Sequence, residues 1–504
     1  MKILSPSQLQ KTDAYTIKHE KITSWQLMEN ASLEAVAVIK EILIKTQPVT
    51  ILAGSGNNGG DGLAIAFHLD NLGYEINVLL FKYKSEYSKD CKINLERLKS
   101  KTSVKISEYS EDSPLEDSEL KPVIVDAIFG IGLNRTLPVV VQNIIKSANK
   151  SNSIRISIDV PSGLFLSKLT PPDSVVFKAN YTLTFQCPKL NFFLPDYGNY
   201  IGKIKIIDIG LNQKFISELT SDYEYLDEAY AKNIYKTRER FSHKGNYGHL
   251  LIIGGQFGMM GSVCLTTKAA LKSGLGKVSV VSPKCGVNVL QQSIPEAMVL
   301  ASGENNVVSP VQPNFKPNHI CIGMGIGTSE LAKNTLEHFI KIADSPLLID
   351  ADGINLLVQN EELLEKLPKK TILTPHQGEL KRLIGQWSDE YDKLGKMKKF
   401  VDNYDLVLVS KDAYTFIVER DKTYINSTGN AGMATAGSGD ALSGLISGLL
   451  TQGYSSIDAS LLGVYLHGLA ADIYVQNFDE NTLIASDIIG YLKNAFSFIN
   501  SFKH

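Results

Sequence analysis

The chain has few cysteines, no long apolar run and almost no net charge, and each absence excludes a class of protein. Only five of its 504 residues are cysteines, and none lies at Cys-x-x-Cys or zinc-ligand spacing. This excludes a disulfide framework and a structural zinc site. No apolar stretch approaches membrane-spanning length, and the first residues lack the apolar core of a signal peptide. We therefore expect a cytoplasmic protein with no membrane partner.

The charge and composition describe an ordinary globular protein. A formal net charge of -2 provides no basic surface for nucleic acid. Hydrophobic residues make up 43% of the chain and charged residues 21%, which excludes a disordered or fibrous protein. Because 504 residues exceed what a single core usually supports, the length predicts two domains.

Short Val/Ile/Leu runs alternate with helical patterns along both halves. VTILAGSG, EINVLLF, PVIVDAIFG and IRISIDVPSG form one series, and HLLIIGGQ, KVSVVSP, HICIGMGIG and PLLIDADG begin another. This alternation is typical of βαβ units, so we predict an α/β protein with two three-layer αβα domains. The polar, acidic stretch over residues 213–228 separates the two series, and we place the domains at 1–212 and 225–504.

In the first series, polar residues follow three strand-like runs. Residues 54–62 read GSGNNGGDG between a strand-like and a helix-like segment, as in a loop that binds phosphate, but they do not match the GxGxxG dinucleotide fingerprint. Asp126, Asp159 and Ser162 end two later strands. Such groups bind a hard cation or move a proton. Each Asp could instead cap a local turn, but three motifs at successive strand ends favour one shared site.

In the second series, residues 430–450 read NAGMATAGSGDALSGLISGLL, a loop of small residues that meets an acid and then an apolar helical run. Asp440 could simply cap that helix. Alternatively, Gly437 and Gly439 present backbone N–H groups to a transferred phosphoryl group, and Asp440 accepts a proton from the attacking hydroxyl. A capping Asp does not require two neighbouring glycines, which favours the second interpretation.

The motifs GSGNNGGDG, DAIFGIGLNR and SIDVPSGL, after a helix containing LMENAS, resemble the NAD(P)H-hydrate epimerase family over about the first 210 residues. The family usually has Gly where this chain has Ser32. The resemblance implies a Rossmann-like domain in which Asn58, Asp126 and Ser162 hold K⁺ and Asp159 is catalytic. It also implies that the hydrated NAD(P)H substrate contacts Asn57, Asn58, Gly59, Gly60, Asp61, Gly130, Ile131, Gly132, Leu133, Asn134, Arg135 and Asp159.

The motifs NAGMATAGSGD, SHKGNYGHLLIIGG, TPHQGEL and VSKDAYTFI resemble the bacterial ADP-dependent NAD(P)H-hydrate dehydratases, over about residues 225–504. This implies a ribokinase-like domain in which the S hydrate is phosphorylated from ADP, with Mg²⁺, and then loses phosphate. Asp440 is then the base, and the hydrate also contacts Ser262, Gly325 and His376. The nucleotide contacts are Lys411, Asp412, Ala413, Tyr414, Thr415, Ala436, Gly437, Ser438 and Gly439.

Two positions depart from the dehydratase pattern. Gln377 replaces the usual proline after His376, and Asp412 replaces the usual glycine after the nucleotide-binding lysine, which places an acid near the expected phosphates. His376 could also be a hydrogen-bonded core histidine. A glycine loop of this kind accommodates ADP and ATP alike, and the choice of ADP rests on the resemblance.

Both resemblances together imply a bifunctional repair enzyme. Its small-molecule substrates are the hydrates NADHX and NADPHX together with ADP, and it is expected to be a homo-oligomer. Two alternative functions remain open. One is a ribokinase-like vitamin or sugar kinase with a nucleotide-binding regulatory N-terminal domain. The other is a nucleotide-binding regulatory module without turnover.

Overall fold

The computed structural model describes residues 1–44, 46–83, 86–110 and 120–500. These residues form two compact units, an N-terminal unit of Lys2–Ser221 and a C-terminal unit that begins at Asp222 and also includes Met1. Within these ranges no helix combines the length and the apolar character needed to cross a membrane.

The N-terminal unit is built on a seven-stranded sheet in which every neighbouring pair is parallel. Its strands are β1 Val49–Gly54, β2 Ile76–Phe81, β3 Lys105–Tyr109, β4 Val123–Ala127, β5 Ile154–Ile158, β6 Tyr181–Phe185 and β7 Lys203–Ile207. Its helices are α1 Pro6–His19, α2 Ser24–Ile42, α3 Asn57–Asn71, α4 Lys89–Lys101, α5 Val139–Lys150, α6 Gly198–Ile201 and α7 Gln213–Glu218. The strand order β3-β2-β1-β4-β5-β6-β7 is that of a Rossmann-type sheet.

Both faces of this sheet are covered by helices. Along β1, Ile51 packs in a cluster with side chains of α2 and α3, whereas Leu52 packs in a second cluster with Ile144 of α5. Neighbouring side chains of a strand point to opposite faces, so a strand covered on both sides must be apolar throughout. This is why VTILAG reads as a continuous apolar run and why the unit has three layers.

The C-terminal unit has a ten-stranded sheet of order β11-β10-β9-β12-β13-β14-β15-β16-β17-β8. Its strands are β8 Tyr223–Leu226, β9 His249–Ile253, β10 Lys277–Ser282, β11 Met298–Ala301, β12 His319–Ile322, β13 Leu347–Ile349, β14 Ile372–Leu373, β15 Val407–Ser410, β16 Phe416–Glu419 and β17 Lys422–Asn426. Its helices are α8 Glu228–Ile234, α9 Met260–Lys272, α10 Lys284–Ser293, α11 Glu330–Ile342, α12 Asp352–Gln359, α13 Gln377–Ile384, α14 Glu390–Tyr404, α15 Ser438–Thr451, α16 Ser456–Val475 and α17 Ala485–Asn500.

This second sheet is not parallel throughout. β15 pairs antiparallel with β16, and β16 pairs antiparallel with β17. The alternating pattern alone predicted a uniform series of βαβ units, but the five residues 411–415 between β15 and β16 are too few for the crossover that parallel strands need. The KDAYT segment is therefore a hairpin loop.

Alternate residues of the second sheet again face different layers. Leu250 and Ile252 of β9 belong to the core that includes α15, α16 and α17. Leu251 and Ile253, which alternate with them along the strand, are equally buried. The prediction of two three-layer α/β domains is thus confirmed. The polar stretch over residues 213–228 is itself ordered, because it contains α7 and the edge strand β8.

Candidate active sites

The N-terminal unit contains a cavity of about 690 Å³ beside the carboxyl ends of its central strands. This is the edge where ligands bind in open α/β sheets. Ten of the predicted substrate contacts line it, namely Asn57, Asn58, Asp61, Gly130, Ile131, Gly132, Leu133, Asn134, Arg135 and Asp159. The cavity therefore brings together residues that lie more than a hundred positions apart in the chain.

Gly59 and Gly60, which were also predicted to contact substrate, are not among the lining residues. They lie in the first turn of α3, against neighbouring chain segments. A Cβ on Gly59 would lie 1.8 Å from the Gly54 carbonyl oxygen, and one on Gly60 would lie 2.8 Å from Met28 Sδ. Their small size is thus explained by packing, since it lets the start of α3 approach β1 and α2.

Asp126 and Ser162, two of the three predicted K⁺ ligands, are fully buried and hydrogen-bonded to each other. Ser162 donates to the Asp126 carboxylate from its backbone N, at 2.8 Å, and from Oγ, at 2.6 Å. Burial raises the pKa of Asp126 to about 6, although the hydrogen bonds from Ser162 act in the opposite direction. Among the residues that the structure describes, no cationic side chain forms an ion pair with Asp126.

The third predicted ligand, Asn58, has its side chain at the end of β5, on the side of Asp159. Its Nδ2 donates to the Ile158 carbonyl oxygen at 3.3 Å, and a Cβ on Gly130 would lie 3.4 Å both from Asn58 Cγ and from Asp159 Oδ2. The Asp126 carboxylate also accepts hydrogen bonds from Ile128 N and Ser157 Oγ. The oxygen atoms of a carboxylate, a hydroxyl and an amide are donors that suit a hard cation such as K⁺. Elsewhere in the described chain, no three His, Cys, Asp or Glu side chains are grouped as a metal site.

Asp159 follows β5 with a left-handed backbone (φ +64°) and forms a buried ion pair. Lys189 Nζ lies 2.7 Å from Asp159 Oδ1, and only 3% of the lysine side chain is exposed. The ammonium also donates to Thr184 Oγ1 at 2.7 Å, and to the carbonyl oxygens of Phe185 and Cys187, both at 3.1 Å. Lys189 lines the cavity and was missed by the sequence reasoning, although a lysine inside the apolar run CPKLNFF was a visible signal.

Three more carboxyl groups line the same cavity, those of Asp13, Asp61 and Asp90. Burial, and then the charge of Asp159, raise the pKa of Asp13 to about 6, and Lys189 opposes this shift. Asp61 has its pKa raised well above the usual range, first by burial and then by the charges of Asp159, Asp13 and Asp90. Burial and the proximity of several carboxylates thus raise the pKa of Asp13 and Asp61 in this cavity.

In the C-terminal unit, Asp440 lies in the first turn of α15, directly after the glycine loop. Gly437 is the N-cap with φ +85°, a conformation that favours glycine. Burial, and then the charge of Asp350, raise the pKa of Asp440 to about 6, whereas a hydrogen bond from Ser262 acts in the opposite direction. Asp440 makes no side-chain cap in this position, because the N-cap residue is Gly437.

Ser262, Gly325 and Asp440 meet beside the start of α15. Ser262 lies beside Asp440 and lowers the pKa of its carboxyl group, and a Cβ on Gly325 (φ +64°) would lie 3.0 Å from the Met259 carbonyl oxygen and 3.7 Å from Ser262 Cβ. The structure therefore groups three of the four residues predicted to contact the hydrate. A side chain at position 325 would enter this space and would also be strained.

Lys411, the first residue of the hairpin loop, reaches the glycine loop. A Cβ on Gly439 would lie 3.2 Å from Lys411 Nζ. The ammonium forms an ion pair with Asp350 Oδ1 at 2.9 Å, and Asp350 Oδ2 accepts a hydrogen bond from Ser443 Oγ at 2.7 Å. Asp350 is buried and was not predicted. A cation, backbone N–H groups and a carboxylate base thus converge at one helix N-terminus, as phosphoryl transfer requires.

The remaining nucleotide-binding residues predicted from the sequence lie in the same two loops. Asp412 is not an isolated charge, because its Oδ2 lies 3.4 Å from Nζ of Lys393, and Lys393 also pairs with Glu390 at 3.2 Å. Ala413, Tyr414 and Thr415 lie in the hairpin loop. Ala436 lies in the glycine loop, and Ser438 is the first residue of α15.

His376 caps a helix and is not a core histidine, since 57% of its side chain is exposed. Its Nδ1 accepts from the backbone N of Gly378 at 2.9 Å and of Glu379 at 3.4 Å. Burial, followed by the charges of Lys411 and Arg382, lowers the pKa of His376. The ring is therefore neutral near pH 7 and carries its proton on Nε2.

A second histidine lies behind the glycine loop. His467 of α16 is buried, with Nε2 3.5 Å from Ser438 Oγ. Burial lowers its pKa to about 4. It therefore supports the loop as a neutral group, and it was not predicted because it lies in the middle of an apolar helix sequence.

The fold and the two sites define a two-domain α/β enzyme class, with proton-transfer groups in one unit and phosphoryl-transfer groups in the other. Comparison with known proteins agrees. A family described as NAD(P)H-hydrate dehydratase matches residues 250–494, and one described as YjeF-related protein N-terminus matches residues 24–191. The chain is similar to the bifunctional NAD(P)H-hydrate repair enzyme of Moorella thermoacetica, at 32% identity over 98% of this chain and 96% of the relative.

The Escherichia coli enzyme of the same description is 30% identical, over 94% of this chain and 89% of the relative. The chain belongs to the family of bifunctional NAD(P)H-hydrate repair enzymes. Among solved structures, an ADP/ATP-dependent NAD(P)H-hydrate dehydratase from Bacillus subtilis, co-crystallised with ATP and Mg²⁺, matches at 27% identity. The match covers 55% of this chain and 98% of that chain, with a TM-score of 0.48.

Proposed function

We propose that the protein repairs hydrated NAD(P)H in two steps, one in each unit. The N-terminal unit interconverts the R and S hydrates, and the C-terminal unit converts the S hydrate back to NAD(P)H at the expense of ADP, giving AMP and phosphate. Family membership over both halves supports this function. The observation that carries it is Asp440 at the glycine loop, beside Lys411 and Ser262.

In the C-terminal unit the hydrate hydroxyl is the acceptor of the transferred phosphoryl group. Asp440 takes the hydroxyl proton as the new O–P bond forms. The N–H groups at the start of α15 and the ammonium of Lys411 stabilise the charge on the phosphoryl oxygens. Loss of phosphate from the substituted carbon, together with a proton from the neighbouring carbon, then restores the double bond of the dihydronicotinamide ring.

Ser262, Gly325 and His376 are proposed to orient the hydrate. Ser262 lies beside Asp440 and would direct its carboxylate, and Gly325 leaves room beside it. His376, neutral near pH 7, can donate from Nε2 to a polar group of the substrate. The loops with Lys411, Asp412, Ala413, Tyr414, Thr415, Ala436, Gly437, Ser438 and Gly439 hold the nucleotide.

Two ions complete the proposal. K⁺ held by Asn58, Asp126 and Ser162 supplies a positive charge next to the epimerase cavity. Mg²⁺ would bind together with the nucleotide and would supply the counter-charge for its phosphates. Proteins usually bind Mg²⁺ in this way rather than in a cage made only of their own carboxylates. The Bacillus subtilis dehydratase was co-crystallised with ATP and Mg²⁺, so ADP and ATP are both to be tested as the phosphoryl donor of this protein.

In the N-terminal unit Asp159 moves the proton that interconverts the hydrates. Lys189 fixes the position of its carboxylate, and the substrate is proposed to contact the cavity-lining residues at the start of α3 and in the loop over residues 130–135. A cytoplasmic location and self-association are part of the proposal by family resemblance. Light scattering on the purified protein tests the self-association.

A repair assay tests the function as a whole. The protein is incubated with the separated R and S hydrates, and with ADP or ATP, while the absorbance of the reduced nicotinamide is followed. We expect recovery from the S hydrate without delay and from the R hydrate through prior epimerisation. A stable phosphorylated alcohol without recovery of absorbance would establish the vitamin or sugar kinase instead, and nucleotide binding without any turnover would establish a regulatory module.

A further inference from the structure

The epimerase cavity contains a carboxyl group on an element that the motifs did not include. Asp13 lies on α1, whose residues Leu9, Asp13 and Ile17 line the cavity at helical spacing. The helix is well fixed, because Ser5 and Gln8 form a capping box at its start. The position of Asp13 at the cavity wall is therefore set by a rigid element.

Asp13 differs from Asp159 in its partners. Asp159 forms an ion pair with Lys189, at 2.7 Å between Oδ1 and Nζ. Asp13 has no hydrogen bond or ion pair among the described residues; it faces the cavity, with Asp159 and Lys189 as the charged groups that act on it. Asp61, which also lines the cavity, feels the charge of Asp13 in turn.

The chemistry of the proposed epimerisation requires an acid as well as a base. The hydroxyl to be inverted is on a ring carbon bonded to nitrogen. The C–O bond breaks as the nitrogen lone pair forms a C=N bond, but the oxygen leaves readily only as water, which requires a proton. Water then adds to the other face of the carbon, and its extra proton must be removed. No oxidant or reductant takes part.

We infer that Asp13 is the acid of this cavity. It donates the proton with which the hydroxyl leaves as water, and Asp159 accepts the proton from the water that adds to the opposite face. This inference rests on the proposed epimerase function. One turnover leaves Asp13 ionised and Asp159 protonated, which is the state required for the reverse reaction. Proton exchange with cavity water restores the starting state.

The protonation of Asp13 is consistent with this role. Burial and the charge of Asp159 raise its pKa to about 6, while Lys189 acts in the opposite direction. Near neutral pH a useful fraction of Asp13 is therefore protonated, and the group regains its proton quickly. Burial, and then the charges of Asp159, Asp13 and Asp90, also raise the pKa of Asp61 well above its usual range.

The test compares Asp13→Asn with the wild-type protein in epimerisation of the purified hydrates. Asparagine has the same shape but cannot act as an acid, so we expect kcat to fall about 100-fold with KM nearly unchanged. Asp13→Glu should recover part of the rate. Asp70→Asn, an equivalent change on α3 away from the cavity lining, is the matched control and should retain full activity.

A pH profile gives a second measurement, and its wild-type part does not depend on the folding of any variant. Because the acid must be protonated, epimerase activity of the wild type should decline as the pH rises above about 6, and Asp13→Asn should lose this decline. Unchanged kcat in folded Asp13→Asn, or a wild-type rate that does not decline above that pH, would overturn the inference. Absence of epimerisation in the wild type would instead reject the proposed function.

Discussion

The two units use a similar pair of residues for different purposes. In each, an Asp immediately after a central parallel strand pairs with a Lys that follows a later strand: Asp159 with Lys189 in the N-terminal unit, and Asp350 with Lys411 in the C-terminal unit. In the first unit the paired Asp faces the cavity and is the proposed base. In the C-terminal unit the proposed base is a different residue, Asp440, which forms no ion pair with any residue that the structure describes.

This difference follows from what the lysine must do. Lys189 is 3% exposed and donates four hydrogen bonds to protein oxygens, so it acts through Asp159. Lys411 is 21% exposed and lies beside the glycine loop, so its ammonium remains accessible to a phosphate. A carboxylate–lysine pair at a sheet edge can therefore orient a base or present a cation, depending on the burial of the lysine.

The largest effect is expected for Asp440→Asn, which removes the base of one unit only. Dehydration should fall about 1,000-fold while epimerisation is retained. In the wild type, Asp440 must be ionised to accept a proton, so dehydratase activity should be present above pH about 6 and fall as the pH drops through this value. The absorbance assay with S hydrate at a series of pH values measures both effects. A fall in epimerisation of equal size would contradict the separation of the two activities.

Lys189→Met should destabilise the N-terminal unit, because it leaves the buried Asp159 carboxylate without its cation. Removal of one partner of a buried pair costs about 3 to 5 kcal/mol. Denaturant unfolding should show the loss, and Lys189→Met combined with Asp159→Asn should recover much of it. Lys411→Met is the matched change in the other unit. It should cost less stability, because Lys411 is more exposed and Ser443 still binds Asp350, and should mainly weaken nucleotide binding.

Asp126→Asn should separate the ion requirements of the two units. The change removes the charge of one proposed K⁺ ligand, so the K⁺ concentration for half-maximal epimerisation should rise by about 10-fold. Dehydration at fixed Mg²⁺ and ADP should not change. KCl titrations with tetramethylammonium chloride as the ionic-strength control measure this. An epimerase indifferent to K⁺ in the wild type would reject the proposed ion site.

The smallest effect is expected for Asp412→Gly, the residue that departs from the dehydratase pattern. Because Lys393 pairs with Asp412 and keeps Glu390 as a second partner, loss of this carboxylate should alter nucleotide binding by only about 0.5 kcal/mol. Calorimetric titration with ADP measures the change, with Asp412→Asn as the isosteric control. A gain of more than about ten-fold in affinity, worth about 1.4 kcal/mol, would show that the acid opposes the phosphates despite its partner.

The motifs predicted much of both sites because they are local. GSGNNGGDG contains both the loop and the start of α3, so Asn57, Asn58 and Asp61 could be placed together without any tertiary information. The same holds for the loop before Asp440. Asp13, Lys189, Asp350 and His467 were missed because each reaches its site from a separate element, and nothing near them in the chain indicates their partners. The sequence also does not distinguish two roles within the glycine motif. Gly59 and Gly60 are required for packing, whereas Asn57, Asn58 and Asp61 line the cavity.

The amino-acid sequence by itself determined the class of fold, the presence of two α/β halves and the loops that carry the chemistry, because periodicity and turn residues act over a few positions. Only the tertiary structure decided which charges meet. The strand order β3-β2-β1-β4-β5-β6-β7 places β5 beside β6 and so brings Lys189 to Asp159, while the hairpin at residues 411–415 directs Lys411 to Asp350. Burial then raises the pKa of Asp126 and Asp440 to about 6, which depends on neighbours throughout each unit.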